Sequence, residues 1–215
     1  MISTGLTGLD SLLGGGIAGG IITDIFGPGG SGKTQLAMQI CTNAIHEKII
    51  YQDTTGGFQP KRMIELMRAK DLEHKLLDNL MIARVTHVAD QIANLEKISD
   101  MHPSLVVIDS ISDLFSFEYS KESKSLEKHV KFMEYMHSLS LLCIQHKIPV
   151  VITNVVRRSG EQDVENLDKS ISIFTHKKIK LTKEGNKFSA QVLPAFGAKK
   201  EISYGITEQG LVETP

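Results

Sequence analysis

Eight consecutive residues, Gly27-Pro28-Gly29-Gly30-Ser31-Gly32-Lys33-Thr34, have the types and spacing of a loop that wraps phosphate. Glycine lets successive backbone N–H groups turn inward without Cβ clashes, and a helix starting at the loop's end aims its positive pole at the same anion. In such a loop Lys33 reaches the β- and γ-phosphates of a nucleotide, and the Thr34 hydroxyl ligates magnesium. Asp109 supplies a second oxygen for the metal. It closes the run Leu105-Val106-Val107-Ile108, and an acid at the carboxyl end of a buried parallel strand emerges where such sheets bind ligands. Capping the next helix is the other use open to Asp109. The expected cofactors are ATP and Mg2+.

The loop needs a strand before it and an amphipathic helix after it. Ile21 to Phe26 is a β-branched run, and Leu36, Ala37, Ile40, Cys41 and Ala44 recur at helical spacing. The pattern then predicts a strand at Lys48 to Asp53, a helix from Pro60, a strand over Asn79 to Val85 and a helix over Asp90 to Met101. A strand ending at Asp109, a long helix from Leu126 to His146 and a strand at Pro149 to Asn154 follow. The polar stretch from Asn154 to Lys169 is expected to be a loop. Ile171 to Leu181, Lys187 to Leu193 and Glu201 to Ile206 read as strands without intervening helices, parted by turn residues around Gly185 and Gly197. The expected fold is α/β: a mainly parallel central sheet flanked by helices, with antiparallel strands at the C-terminal end.

At 215 residues and 41% hydrophobic content, the chain is expected to form a single domain over residues 1–215. A net charge of -1 provides no global basic field for nucleic acid or anionic membrane, so any such binding must be local. Cys41 and Cys143 stand in apolar helical stretches without metal-ligand spacing and read as buried reduced thiols. No leader and no apolar run near the roughly 18 residues of a membrane span is present, so a cytoplasmic location is expected.

In this order the segments resemble the ATPase core of the RecA/RadA recombinase family, most closely its short archaeal RadB branch, over nearly the whole chain. Ser3-Thr4-Gly5-Leu6-Thr7-Gly8-Leu9-Asp10 with Leu12-Leu13-Gly14-Gly15-Gly16-Ile17 is similar to a lead-in shared by RadA, RadB and KaiC-type ATPases. Tyr51-Gln52-Asp53-Thr54-Thr55-Gly56-Gly57-Phe58-Gln59-Pro60-Lys61-Arg62 resembles a recombinase stretch whose last arginine stacks on adenine, which gives Arg62 that role by resemblance. An ordinary surface charge is the alternative for Arg62. Two departures stand out. Thr55 occupies the position of the family's water-activating glutamate, and Val155 that of a glutamine that links the γ-phosphate to a DNA-binding loop. A threonine hydroxyl stays protonated at neutral pH and cannot act as a general base. The expectation is that ATP binds and is hydrolysed slowly or hardly at all.

The family's two single-stranded-DNA loops match Tyr119 to Ser125 and Val155 to Lys169, which makes Lys121, Lys124, Arg157 and Arg158 the phosphate-contact candidates, with Lys177 and Lys178 extending the path. Solvated surface cations are the alternative, since Glu122, Glu161, Asp163 and Glu165 dilute the charge. Ala83-Arg84-Val85 is similar to the strand that receives a Phe-x-x-Ala segment from a neighbouring recombinase. The chain has no such segment, and few residues precede its lead-in, so no self-propagating filament is expected. Tyr204-Gly205-Ile206 with Lys199 and Lys200 resembles the stretch that caps a neighbour's ATP, without the family's aspartate. The resemblance implies an accessory protein of homologous recombination that binds ATP and single-stranded DNA and assists a RadA-type recombinase. The alternative is a KaiC-type or archaellum-type regulatory ATP sensor that binds proteins and not DNA.

Overall fold

The computed structural model describes residues 1–159, 162–194 and 201–214, with side chains omitted at 158, 159, 162 and 163. Its centre is a twisted sheet. β1 (Ile22–Gly27), β2 (Ile49–Asp53), β3 (Leu80–Arg84), β4 (Leu105–Asp109), β5 (Val150–Ser159) and β7 (Thr175–Glu184) are mutually parallel, in the order β7-β1-β5-β4-β2-β3. β8 (Lys187–Leu193), β9 (Glu201–Thr207) and β10 (Gly210–Thr214) then add antiparallel beyond β7. This is the arrangement read from the sequence, with β10 added.

The parallel strands are apolar along both faces because helices cover both. Tyr51, Leu105, Val107 and Val151 pack with α1 (Thr7–Leu13), α2 (Lys33–Ala44) and α3 (Pro60–Arg68). Ile50, Val106, Ile108 and Ile152 pack on the opposite face with α4 (Val88–Met101), α5 (Asp113–Glu118) and α6 (Ser125–His146). Strand alternation therefore places Asp109, two residues beyond Val107, on the α2 face where the phosphate loop ends. Gln39 of α2 ties this layer together: its amide donates to Thr4 O and Leu211 O, and its carbonyl accepts from Leu211 N at 2.7 Å. The lead-in is held by Asp10, whose Oδ1 accepts from both the amide and the hydroxyl of Thr4.

Two expectations are corrected. The segment expected to be a loop after Asn154 is a β-hairpin, in which β6 (Gln162–Glu165) runs antiparallel to an extended β5. Val155, Val156 and Val164 supply β-branched side chains that a polar average over the segment conceals. The expected strand start at Ile171 falls in α7 (Asp168–Ile171), and β7 begins at Thr175. Among the described residues no helix is long and apolar enough to cross a membrane. Both cysteines are buried and unpaired, and burial pushes the Cys143 thiol up to about 11. The expected turn at Gly197, together with Lys199 and Lys200, lies outside the described residues.

Candidate functional site

The phosphate loop joins β1 to α2. The helix begins at Lys33, so its first-turn N–H groups lack intrahelical partners and face the loop. Gly32 adopts φ +94, a left-handed conformation that side chains rarely take. A Cβ on Gly27 would stand 2.3 Å from Leu181 O, so only glycine lets β7 approach the loop this closely. Gly30, Gly32, Lys33, Thr34, Gln35 and Ile206 line an open cleft of ≈ 240 Å³. Pro28 and Ser31 shape the loop from inside: Ser31 Oγ donates to Pro28 O at 2.8 Å. Tyr204 of β9 donates its hydroxyl to Ser31 O. Gly29 faces open space.

The side chains expected to hold nucleotide and metal converge here. Thr34 Oγ1 donates to Asp109 Oδ2 at 2.8 Å, which sets two hard oxygen donors side by side at the head of α2. Two residues missed in the sequence complete the Asp109 setting: Tyr51 donates to Oδ2 at 2.7 Å, and Thr153 donates to Oδ1. Strand register is the cause, since Asp53 of β2 lies opposite Asp109 and carries Tyr51 two residues before it. Lys33 Nζ donates to Gly27 O and Pro28 O, 2.9 Å each. Burial lowers the Lys33 pKa, against the charges of Asp109 and Asp113.

Asp113 is a further missed residue. It opens α5, and burial raises its pKa, with Asp109 adding to the shift while the Ser110 hydrogen bond, Lys33 and Arg157 oppose it. No motif marks it; its place four residues after Asp109, at the carboxyl end of β4, was the available signal.

Around Thr55 the chain forms a tight turn. Asp53 Oδ1 accepts from the amides of Thr55, Gly56 and Gly57 at 3.1, 2.7 and 3.2 Å, and pairs with Arg84 at 3.1 Å. A Cβ on Gly57 would lie 3.0 Å from Thr55 Oγ1 and 3.7 Å from Thr34 Oγ1, so Gly57 lies near both hydroxyls, and the Thr55 hydroxyl itself accepts from Gly57 N at 3.1 Å. Asp53 is committed to this turn. Val155 lies opposite Gly27 in the β1–β5 register and presents no side-chain donor to the loop.

Arg62, on α3, is drawn to the same region. Its guanidinium edge donates to Gln35 Oε1 at 2.7 Å, Glu65 Oε2 at 3.2 Å, Glu208 O at 2.7 Å and Thr207 O at 2.6 Å. These bonds pin the β9–β10 turn to α2 and α3, and they leave the Arg62 side chain only 13% exposed.

The cations expected along DNA are not all alike. Lys121 and Lys124 are exposed on the connection between α5 and α6, where Lys124 Nζ lies 5.7 Å from the Tyr119 ring centre. Arg157 is exposed on β5, and the side chain of Arg158 lies outside the described residues. Lys178 is corrected. It is 12% exposed, donates to Glu165 and to Asp168 Oδ1, and lies 3.6 Å from the fully buried Asp24. A lysine held by three carboxylates is an internal support, not a DNA contact. Ala83 and Arg84 belong to β3, the edge of the sheet, where Met81 and Ile82 are exposed. Beside it Ile50, Gln52, Ala83, Asn94, Ile98 and Met101 line a cavity of ≈ 220 Å³.

A parallel sheet with antiparallel C-terminal strands and a glycine loop feeding α2 define a RecA-like α/β core. The family model described as Rad51 matches residues 1–213, and the chain belongs to that family. It is 34% identical over 168 residues to the DNA repair and recombination protein RadB of Thermococcus sibiricus, covering 76% of this chain and 71% of that protein. RadB of Pyrococcus furiosus is 34% identical over 161 residues, 73% of this chain and 68% of its own length. RadA of Cenarchaeum symbiosum is 33% identical over 174 residues, and that match spans 75% of this chain and 44% of the RadA.

Proposed function

We propose that residues 1–215 form one RecA-like core that binds Mg-ATP and serves DNA repair and homologous recombination as a RadB-like accessory, with weak or absent hydrolysis. The observation that carries this reading is the Thr34–Asp109 oxygen pair at the head of α2, in a chain with threonine at position 55 where the recombinase resemblance places a carboxylate. Thr34 and Asp109 would hold the magnesium, and Lys33 and the loop amides the phosphates. A bound magnesium supplies charge neutralisation for the phosphates. Arg62 would offer a face to the adenine. The RadB and RadA relatives carry repair and recombination in their names, which supports that setting.

Arg157, Arg158, Lys121 and Lys124 are the proposed contacts to single-stranded DNA, through phosphates and without base readout. A RadA-type recombinase is the proposed partner. The exposed edge β3 beside an apolar cavity suits the addition of an extended segment. The test is anisotropy of a labelled single-stranded oligonucleotide with and without Mg-ATP at two salt concentrations. Binding that tightens with Mg-ATP and weakens steeply with salt is expected. No binding under either condition would replace the DNA role with that of a protein-binding ATP sensor.

A further inference from the structure

Strand β7 runs along the outside of the phosphate loop. Leu181 O stands 2.3 Å from where a Cβ on Gly27 would be, so the strand touches the loop at its first residue. Two residues further, on the same face of the strand, Lys183 reaches the loop's middle: its Nζ lies 3.2 Å from where a Cβ on Gly30 would be. The opposing residue in the β7–β8 register is Phe188, whose ring centre is 5.8 Å from that ammonium. Lys183 is exposed, and among the described residues no carboxylate forms an ion pair with it. Lys180, three residues earlier, alternates to the opposite face of the strand and Lys178 is consumed by its carboxylates, so of these three Lys183 is the ammonium set against the loop.

We propose that Lys183 is a second phosphate-binding cation of this site, reaching the phosphate chain of a nucleoside di- or triphosphate from the same molecule, across Gly30. The inference rests on the nucleotide-binding reading above. Its physical basis is charge. A triphosphate carries more negative charge than Lys33 and one divalent ion neutralise, and a mobile ammonium at the loop rim adds a charge-assisted hydrogen bond without reorganising the fold. Gly30 adopts φ +72, a conformation that side chains rarely take, and leaves the space beside the Lys183 ammonium free of a side chain.

Calorimetric titration of ATP, ADP and AMP, each with magnesium, into the parent chain, Lys183→Ala, Lys183→Arg and Lys187→Ala tests this. Lys187 is an exposed lysine on the neighbouring strand and reports the general field. Lys183→Ala is expected to weaken ATP and ADP by about 5- to 10-fold and to leave AMP unchanged, while Lys183→Arg restores most of the affinity and Lys187→Ala matches the parent. Equal ATP affinity in Lys183→Ala and parent would overturn the proposal, as would an equal loss in Lys187→Ala. A parent chain that binds none of the three would overturn the nucleotide reading itself, and this inference with it.

Discussion

Replacing Lys178 by methionine removes the one cation among three carboxylates. Lys178 Nζ bonds Glu165 and Asp168 and lies 3.6 Å from Asp24, and the Asp24 and Glu165 side chains are 0% and 3% exposed. An exposed ion pair is worth ~0–1 kcal/mol, but stranding a buried charge costs about 3–5 kcal/mol. The loss is bounded because Asp24 can take up a proton. Its pKa already stands well above 3.8, from burial first and the Glu165 charge second, while Lys178 pulls it down. An acid whose folded pKa is raised contributes stability that is full below its unfolded pKa and lost as pH rises through the folded one. Methionine at 178 raises that folded pKa further, so the deficit of the variant must grow with pH. For a chain of this length each kcal/mol moves the melting point by about 2–4 °C, which predicts a drop of roughly 6–20 °C at pH 8 and a smaller one at pH 5. Thermal unfolding of parent and variant at both pH values is the assay. A loss under ~1 kcal/mol at pH 8, or a deficit that grows as pH falls, would refute the reasoning.

Three further outcomes follow from the same contacts. Asp24→Asn removes the acid whose ionisation burial opposes, so the stability lost between pH 5 and pH 8 is expected to shrink in the variant, read by chemical denaturation at both pH values. Arg62→Ala deletes the bonds that hold Thr207 O, Glu208 O and Gln35, and is expected to cost ~2–3 kcal/mol and to weaken ATP binding in titration. Thr55→Glu puts a carboxylate at the position where the recombinase resemblance places one and is expected to raise ATP turnover by ~100-fold or more, measured as phosphate release against a Lys33→Ala control. Unchanged turnover would mean that the absent carboxylate is not what limits hydrolysis.

Local pattern carried the sequence a long way where local physics decides. A β-branched run, a glycine loop and an amphipathic helix determine where β1, the loop and α2 lie, and Asp109 follows from strand length and alternation. Several of the missed features depend on distant partners. Tyr51 and Thr153 reach Asp109 only through strand register; Asp113 lies four residues after Asp109 and was missed although its signal was local. Lys178 looked like a surface cation because its partners, Asp24, Glu165 and Asp168, are scattered along the chain and no spacing announces them. β10 went unread since Gly210 to Thr214 is short; it pairs with β9 across the turn at Glu208 and Gln209, and Gln39 adds a bond to Leu211 N. The hairpin after Asn154 was hidden by the charged residues interspersed among its valines.

The central claim is a site that holds Mg-ATP and scarcely turns it over. Its most direct test mixes the chain with labelled ATP and magnesium, separates bound from free nucleotide, and resolves the retained label into ATP and ADP over time. The account predicts near-stoichiometric retention of intact ATP that is lost in Lys33→Ala. Retention unaffected by Lys33→Ala, or rapid conversion of the bound label to ADP, would contradict it.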